Sequence, residues 1–194
     1  MNRASCRWLT GARLLLALVL AGPVAAQPQR VDVESNGQGE AITIQASADV
    51  QADPRTVWDV ITDYDHLARF IPFMRSSRVV QRDADRLIVE QAGELGIVFF
   101  KQSVAVRLAV VETAPTRVAA RAIGGNIKEM EGLYTVEQLP SGYTRLSYSG
   151  RVLPDFAVPP VIGRIALRSV MERQFDAMVS EIASRERERT QLQR

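Results

Sequence analysis

Cysteine and histidine are almost missing from this chain of 194 residues: there is one of each, Cys6 and His66. The first scarcity excludes a disulfide framework and any zinc site built on several thiolates. The second leaves His66 without a ligating partner, and no serine at a strained turn stands ready to form a triad with it. A structural or solvated histidine is the reading that survives. Long apolar runs are also absent, because Leu14 to Ala21 spans only about eight residues where a bilayer-crossing helix needs about 20. Charge is nearly balanced, with 24 basic against 22 acidic side chains and a formal net charge of +2. Nothing clusters Lys and Arg on one face, so a nucleic-acid surface is not expected.

What is present begins with an address. Arg3, Arg7 and Arg13 form a positive segment, Leu14 to Ala21 the apolar segment, and Gly22-Pro23-Val24-Ala25-Ala26 a small-residue cleavage site. Together they predict a secretory signal peptide over residues 1–26, with a retained anchor as the alternative. Its removal takes away three arginines, no acid and Cys6, so the formal charge falls from +2 to −1 and no thiol remains. The expected location is periplasmic or secreted. About 168 residues are left, enough for one domain with its own core. Residues 27–40 are polar and contain Asn36-Gly37-Gln38-Gly39, which predicts a flexible lead-in.

From Ala41 the pattern changes to strict alternation. Ile42, Ile44, Ala46, Ala48 and Val50 share one side, which predicts a half-buried strand. Asp53-Pro54 supplies an N-cap and a first-turn proline for a short helix carrying Val57, Trp58 and Ile61. A second short helix is expected from about Asp65 to Phe70, ending before Pro72. Strands then follow at 75–82, 86–92, 97–112, 118–123, 128–139 and 143–153, separated by turn signals such as Asp83-Ala84-Asp85 and Pro140-Ser141-Gly142. The last element is a long helix from Pro159 to about Arg187. Leu167, Met171, Phe175, Met178 and Ile182 fall on one face of it. At about 2 kcal/mol per buried side chain this stripe contributes on the order of 10 kcal/mol once something wraps it. Short connections favour pairing of neighbouring strands, so the expected architecture is α+β: a curved antiparallel sheet of six to seven strands gripping the final helix.

Period-two reading assigns the sheet's inner face. It places Phe100, Val104, Val106, Leu108 and Val110 inside, with Val118, Ala120 and Ala122, then Met130, Gly132, Tyr134 and Val136, then Leu146, Tyr148, Gly150 and Val152. Several of these are small. A concave sheet lined by Ala and Gly opposite one helix leaves room for a ligand unless the helix side chains fill it.

The stretch Trp58-Asp59-Val60-Ile61-Thr62-Asp63-Tyr64-Asp65-His66-Leu67-Ala68-Arg69-Phe70-Ile71-Pro72-Phe73 resembles the opening of START-like proteins of the polyketide cyclase, dehydrase and lipid-transport superfamily. In those proteins a short helix ending in Asp-Tyr, four residues, Phe, Ile or Val, and Pro is followed by a strand like Arg75 to Val80. The element order over residues 41–188 is similar to their helix-grip fold. The resemblance implies a cavity between sheet and C-terminal helix, and it extends to the coenzyme Q-binding branch. Where that branch tends to carry an aromatic-rich strand with Trp, this chain has Gly132-Leu133-Tyr134-Thr135, which argues against quinone.

The candidate ligand-binding residues are Phe70, Phe100, Gln102, Val104, Tyr134, Tyr148, Phe156, Arg164, Leu167, Met171 and Phe175. Tyr134 and Tyr148 face inward on neighbouring strands, where their hydroxyls either serve as acid or donor in a cyclase-like pocket or simply pack. Gln91 and Gln102 fall on inward positions and either bond each other or orient a ligand. Pro154-Asp155-Phe156-Ala157-Val158 resembles the flap over the family's cavity entrance. Arg164, with Arg168 at the margin, either holds an anionic head group or reaches to solvent. Residues 185–194 alternate Arg and Glu and predict a solvated helix end, with a tail at 189–194. No metal site and no cofactor is expected.

Three functions follow from these features. The first is an exported protein that holds a lipid or other hydrophobic small molecule, with transient membrane contact on delivery. The second is a cyclase- or dehydratase-type enzyme using Tyr134 and Tyr148. The third is a protein-interaction module whose cavity is filled by its own side chains.

Overall fold

A computed structural model describes residues 30–36, 41–97, 100–155 and 160–193. The proposed signal peptide, the Phe156 flap and the side chains of Phe100 and Arg164 lie outside the described residues. The elements in order are β1 (Arg30–Asn36), β2 (Ala41–Val50), α1 (Pro54–Ile61), a 3₁₀ helix (Tyr64–Arg69), β3 (Met74–Asp83), β4 (Arg86–Ile97), β5 (Phe100–Thr113), β6 (Arg117–Gly125), β7 (Ile127–Gln138), β8 (Thr144–Pro154) and α2 (Pro160–Leu192).

Eight antiparallel strands make one sheet in the order β1-β2-β8-β7-β6-β5-β4-β3. The run from β3 to β8 is a meander of adjacent pairs, as short connections dictate. Only β2 pairs out of sequence. It lies against β8 from Ile42 opposite Val152 to Val50 opposite Thr144. This sets β2 beside the last strand, β8, with α1 and the 3₁₀ helix spanning from β2 to the far edge at β3.

The alternation read in β2 is observed: Ile42, Ile44, Ala46, Ala48 and Val50 are all buried. Facing them, Leu167, Phe175, Met178 and Ile182 of α2 are buried and Met171 is packed against the same core. Ile182 is fully buried. The cap of α1 is as expected, with Asp53 Oδ1 accepting from the Arg55 N–H at 2.8 Å and Pro54 in the first turn.

Four expectations are corrected. The lead-in at 27–40 is not wholly irregular, because Arg30–Asn36 forms β1, paired with β2 from Arg30 opposite Ser47 to Asn36 opposite Ala41. Its apolar alternation is only two residues long, Val31 and Val33 against Arg30, Asp32 and Glu34, which is shorter than the run that marks an amphipathic strand. Among the described residues the sheet consequently has eight strands, one beyond the expected range of about six to seven. The glycines at 93 and 96 do not end β4, which runs on to Ile97 opposite Phe100. Gly93 instead lets two segments approach, since a Cβ there would stand 2.5 Å from the Phe73 carbonyl oxygen.

The fourth correction concerns the C-terminus. Helix α2 continues to Leu192, and residues 185–189 are tied to the start of the domain. Arg185 pairs with Asp63 at 2.8 Å and with Glu181 at 2.7 Å. Glu186 Oε2 accepts from the Thr56 hydroxyl at 2.5 Å and from the Asp53 N–H at 3.2 Å. Arg189 reaches Asp53 at 3.2 Å. Arg185, Glu186 and Arg189 thus form a clasp invisible to a local pattern because its partners lie more than 120 residues away, while Arg187, Glu188 and residues 190–193 are exposed.

Candidate functional site

Between the sheet's inner face and α2 lies a cavity of about 280 Å³. That is near the lower end of the range for small-molecule sites. Its walls come from Val104, Tyr134 and Tyr148 on the sheet and from Leu167, Met171 and Phe175 on the helix. The sequence places all six there by two independent periodicities, two residues per repeat on strands and 3.6 on the helix. The cavity reaches the surface beside Phe73, which lines it while remaining 37% exposed.

Phe73 is held in an unusual way. Its φ is 65°, a left-handed conformation that costs an L-residue about 1–2 kcal/mol. The carbonyl so presented accepts the Glu94 N–H at 2.8 Å, and the Arg173 guanidinium lies 5.9 Å above the ring. From α2, Gln174 Nε2 donates to the Pro72 carbonyl at 3.2 Å. The mouth is thereby built from the 3₁₀–β3 turn, β4 and α2 together. Sequence reading missed Phe73 as a mouth residue and used Pro72 beside it only as the end of the short helix.

The polar content of the cavity is small. Tyr134 and Tyr148 sit directly opposite each other in the β7–β8 register, with ring centroids 4.7 Å apart and planes tilted by 42°. Neither hydroxyl bonds to a described residue, and neither is sealed from solvent in the way the Tyr64 hydroxyl is. Gly132 and Gly150 flank the Tyr148 ring, and a Cβ on Gly132 would stand 3.0 Å from its hydroxyl oxygen. The two glycines thus provide the floor on which that ring lies. Burial pushes the Tyr148 phenol up to about 12. Burial, with the Tyr148 hydroxyl beside it, raises Tyr134 as well.

Tyr64 lines the cavity from the 3₁₀ helix, yet its hydroxyl and Glu112 Oε1 are sealed from solvent with no hydrogen bond of good geometry. Its phenol is raised by burial first and then by the Glu112 carboxylate close by, which in turn lies 3.9 Å from Arg82. All three tyrosines are therefore neutral phenols at physiological pH. No Lys or Arg lines the cavity among the described residues, and its one charged wall residue is Glu94, paired with Arg75 at the mouth.

Several candidates lie elsewhere. Phe70 packs at the edge of the core under the Arg185 guanidinium, 5.8 Å from its ring centroid, and does not line the cavity. The 3₁₀ winding of 64–69, tighter than an α-helix, turns it toward the clasp instead. Gln102 is outside the cavity and donates to the Ser103 carbonyl at 3.1 Å. Gln91 does line it and donates to Ser77 at 3.3 Å, so the two amides do not meet. They are paired with Val106 and Leu95, four residues apart along the sheet. Arg168 points outward and bonds Glu172 at 2.8 Å. His66 bonds Asp63 at 2.6 Å on the surface. Among the described residues no group of His, Cys, Asp and Glu is arranged to hold a metal ion.

Residues 50–179 match the family model described as polyketide cyclase / dehydrase and lipid transport. The chain belongs to that family. Among solved structures, the fold is similar to a STAR-related lipid transfer protein fragment from Xanthomonas axonopodis, with a TM-score of 0.64 at 10% identity over 82% of this chain and 98% of that one. It is also similar to the Zhui aromatase/cyclase from Streptomyces sp. R1128, with a TM-score of 0.60 at 16% identity over 77% and 96%. A START superfamily protein from Mycobacterium smegmatis aligns with a TM-score of 0.58 at 15% identity over 75% and 97%. No curated protein matches the chain by sequence. At these identities the likeness is one of fold, and the helix-grip arrangement of sheet and long helix is common to all three. Family and fold together suggest hydrophobic ligand binding or polyketide cyclase chemistry.

Proposed function

We propose that this chain is an exported binding protein that shelters a lipid or other hydrophobic small molecule between the sheet and α2. The observation that carries the proposal is the cavity itself: about 280 Å³, walled almost entirely by apolar side chains and open beside Phe73. Such a space gains free energy in proportion to the apolar ligand surface it removes from water. A filled interior, as a pure interaction module needs, is at odds with it.

The enzyme reading is weaker on chemical grounds. A general acid or base works best with a pKa near the operating pH. Tyr148 at about 12, with Tyr134 and Tyr64 also raised, offers donors that hold their protons. These phenols suit binding better than proton transfer. Export rests on the leader-like residues 1–26 and on the lack of any cysteine beyond Cys6. Delivery by transient membrane contact is supported by the exposed Phe73 at the mouth.

Native mass spectrometry of the protein purified from its producing cell tests the proposal, with organic extraction to identify what is released. One apolar molecule per chain is expected, on a polypeptide beginning near Gln27. A ligand-free mass that stays ligand-free after addition of a total lipid extract overturns the carrier reading. Recovery of the intact leader on a cytoplasmic protein overturns export.

A further inference from the structure

The two tyrosine hydroxyls of the cavity carry the argument one step further, resting on the carrier reading above. Unpartnered polar groups inside an apolar interior cost free energy unless a partner arrives. Tyr134 and Tyr148 lie opposite each other on β7 and β8, 4.7 Å between centroids, with neither hydroxyl bonded to a described residue. Both residues line the cavity, so two neutral phenols on adjacent strands offer O–H donors to a ligand there, and a carbonyl oxygen has two lone pairs to receive them.

The charge around this space is selective. Glu94 lines the mouth, Glu112 stands behind Tyr64, and no described cationic side chain faces inward. Glu94 and Glu112 are met by Arg75 and Arg82, so a carboxylate brought here loses its hydration with no described cation left to receive it. Arg168, a described cation on α2, is exposed and bonds Glu172.

We infer that the Tyr134–Tyr148 pair is a subsite for an uncharged acceptor oxygen, a ketone or ester carbonyl, on an otherwise apolar ligand, and that the cavity rejects free carboxylates. The hydroxyl pair orients the ligand with its carbonyl over β7 and β8 and its hydrocarbon along Leu167, Met171 and Phe175.

The test uses three probes of equal chain length, 2-decanone, decane and decanoate, each competing with Nile red for the full exported protein at pH 7. In the wild type 2-decanone is expected to bind at least about tenfold more tightly than decanoate. In the Tyr134→Phe/Tyr148→Phe protein the ratio of 2-decanone to decane affinity is expected to fall about tenfold, the loss of two ordinary hydrogen bonds. An unchanged ratio in the double variant overturns the subsite, and so does equal wild-type binding of ketone and carboxylate. The wild-type comparison stands even if the variant does not fold. Failure of all three probes to displace Nile red overturns the carrier reading together with the subsite, whereas binding without discrimination overturns the subsite alone.

Discussion

Gly150 is the position where one methyl group should reshape the cavity. A Cβ placed there would stand 2.7 Å from Cζ and 2.9 Å from Cε1 of Tyr148, closer than real Cβ contacts come. The colliding atoms belong to a side chain, so the ring can move into the cavity it lines. Overpacking of this kind costs about 1–3 kcal/mol. Relief of glycine's backbone entropy returns about 0.5–1 kcal/mol. The expected net loss for Gly150→Ala is therefore about 1–2 kcal/mol, read as a lower urea midpoint at unchanged slope. Gly132→Ala is the matched control, because its Cβ would sit 3.0 Å from the Tyr148 hydroxyl oxygen and 3.1 Å from Cε2, a contact the ring relieves by a few tenths of an ångström. It should be near neutral. Gly150→Ala should also reduce uptake of the longest apolar probes, since the displaced ring occupies their space. In a Tyr148→Ala background the cost of Gly150→Ala should vanish, a coupling visible in a double-mutant cycle. Equal effects at the two glycines, or a cost that persists without the ring, would refute this reasoning.

Tyr134→Phe and Tyr148→Phe should each leave the stability of the ligand-free protein unchanged or raise it by up to about 1 kcal/mol, because no bond is lost with the hydroxyl; a larger loss in a denaturant titration would reveal a hidden partner. Thr144→Val should cost about 1–3 kcal/mol by the same assay, since the fully buried hydroxyl donates to the Ala52 carbonyl at 2.6 Å and its removal strands that oxygen. Acid should loosen the clasp between α2 and the start of the domain. Burial alone would raise Asp63, but the Arg185 and His66 partners outweigh it and hold the carboxyl below 3.8; burial is likewise outweighed at Glu186, below 4.5, by Arg189 and Thr56. A lowered folded value means stability that is complete above about pH 4.5 and lost as pH falls through the folded values. Thermal melts below pH 4 should fall steeply in the wild type and less so in Asp63→Asn/Glu186→Gln.

Much of this molecule is local information. The stripe Leu167, Met171, Phe175, Met178 and Ile182 and the alternation from Ile42 to Val50 identify the two faces that enclose the core, and a cavity wall follows from where small residues interrupt them. That is why Val104, Tyr134 and Tyr148 could be placed on it before any coordinates. What local pattern does not carry is the pairing of distant polar groups. Arg185 and Arg189 look like any exposed helix charges until Asp53 and Asp63, more than 120 residues earlier in the chain, arrive beside them. Phe70 looks like a wall residue because it follows an apolar motif, yet 3₁₀ winding turns it beneath Arg185. Strand β1 escapes detection for a different reason, since Val31 and Val33 alone make a period too short to separate from a polar lead-in. Phe73 is the subtlest case: its left-handed backbone depends on the close approach of Gly93, a tertiary fact with no sequence period.

The central claim, that the ligand lies between the sheet and α2, is tested most directly by filling that space. Met171 lines the cavity and is only partly buried, so Met171→Trp puts an indole where the ligand would be while keeping the helix face apolar. Wild type and variant would be loaded with a neutral apolar probe such as Nile red and the bound fraction counted per chain, with circular dichroism to confirm the fold of both. The account predicts about one probe per wild-type chain and at least about tenfold weaker uptake by a folded Met171→Trp, as expected when a well-packed side chain occupies the site. Equal uptake by the two proteins would place the ligand elsewhere, and no uptake by either would contradict the carrier reading itself.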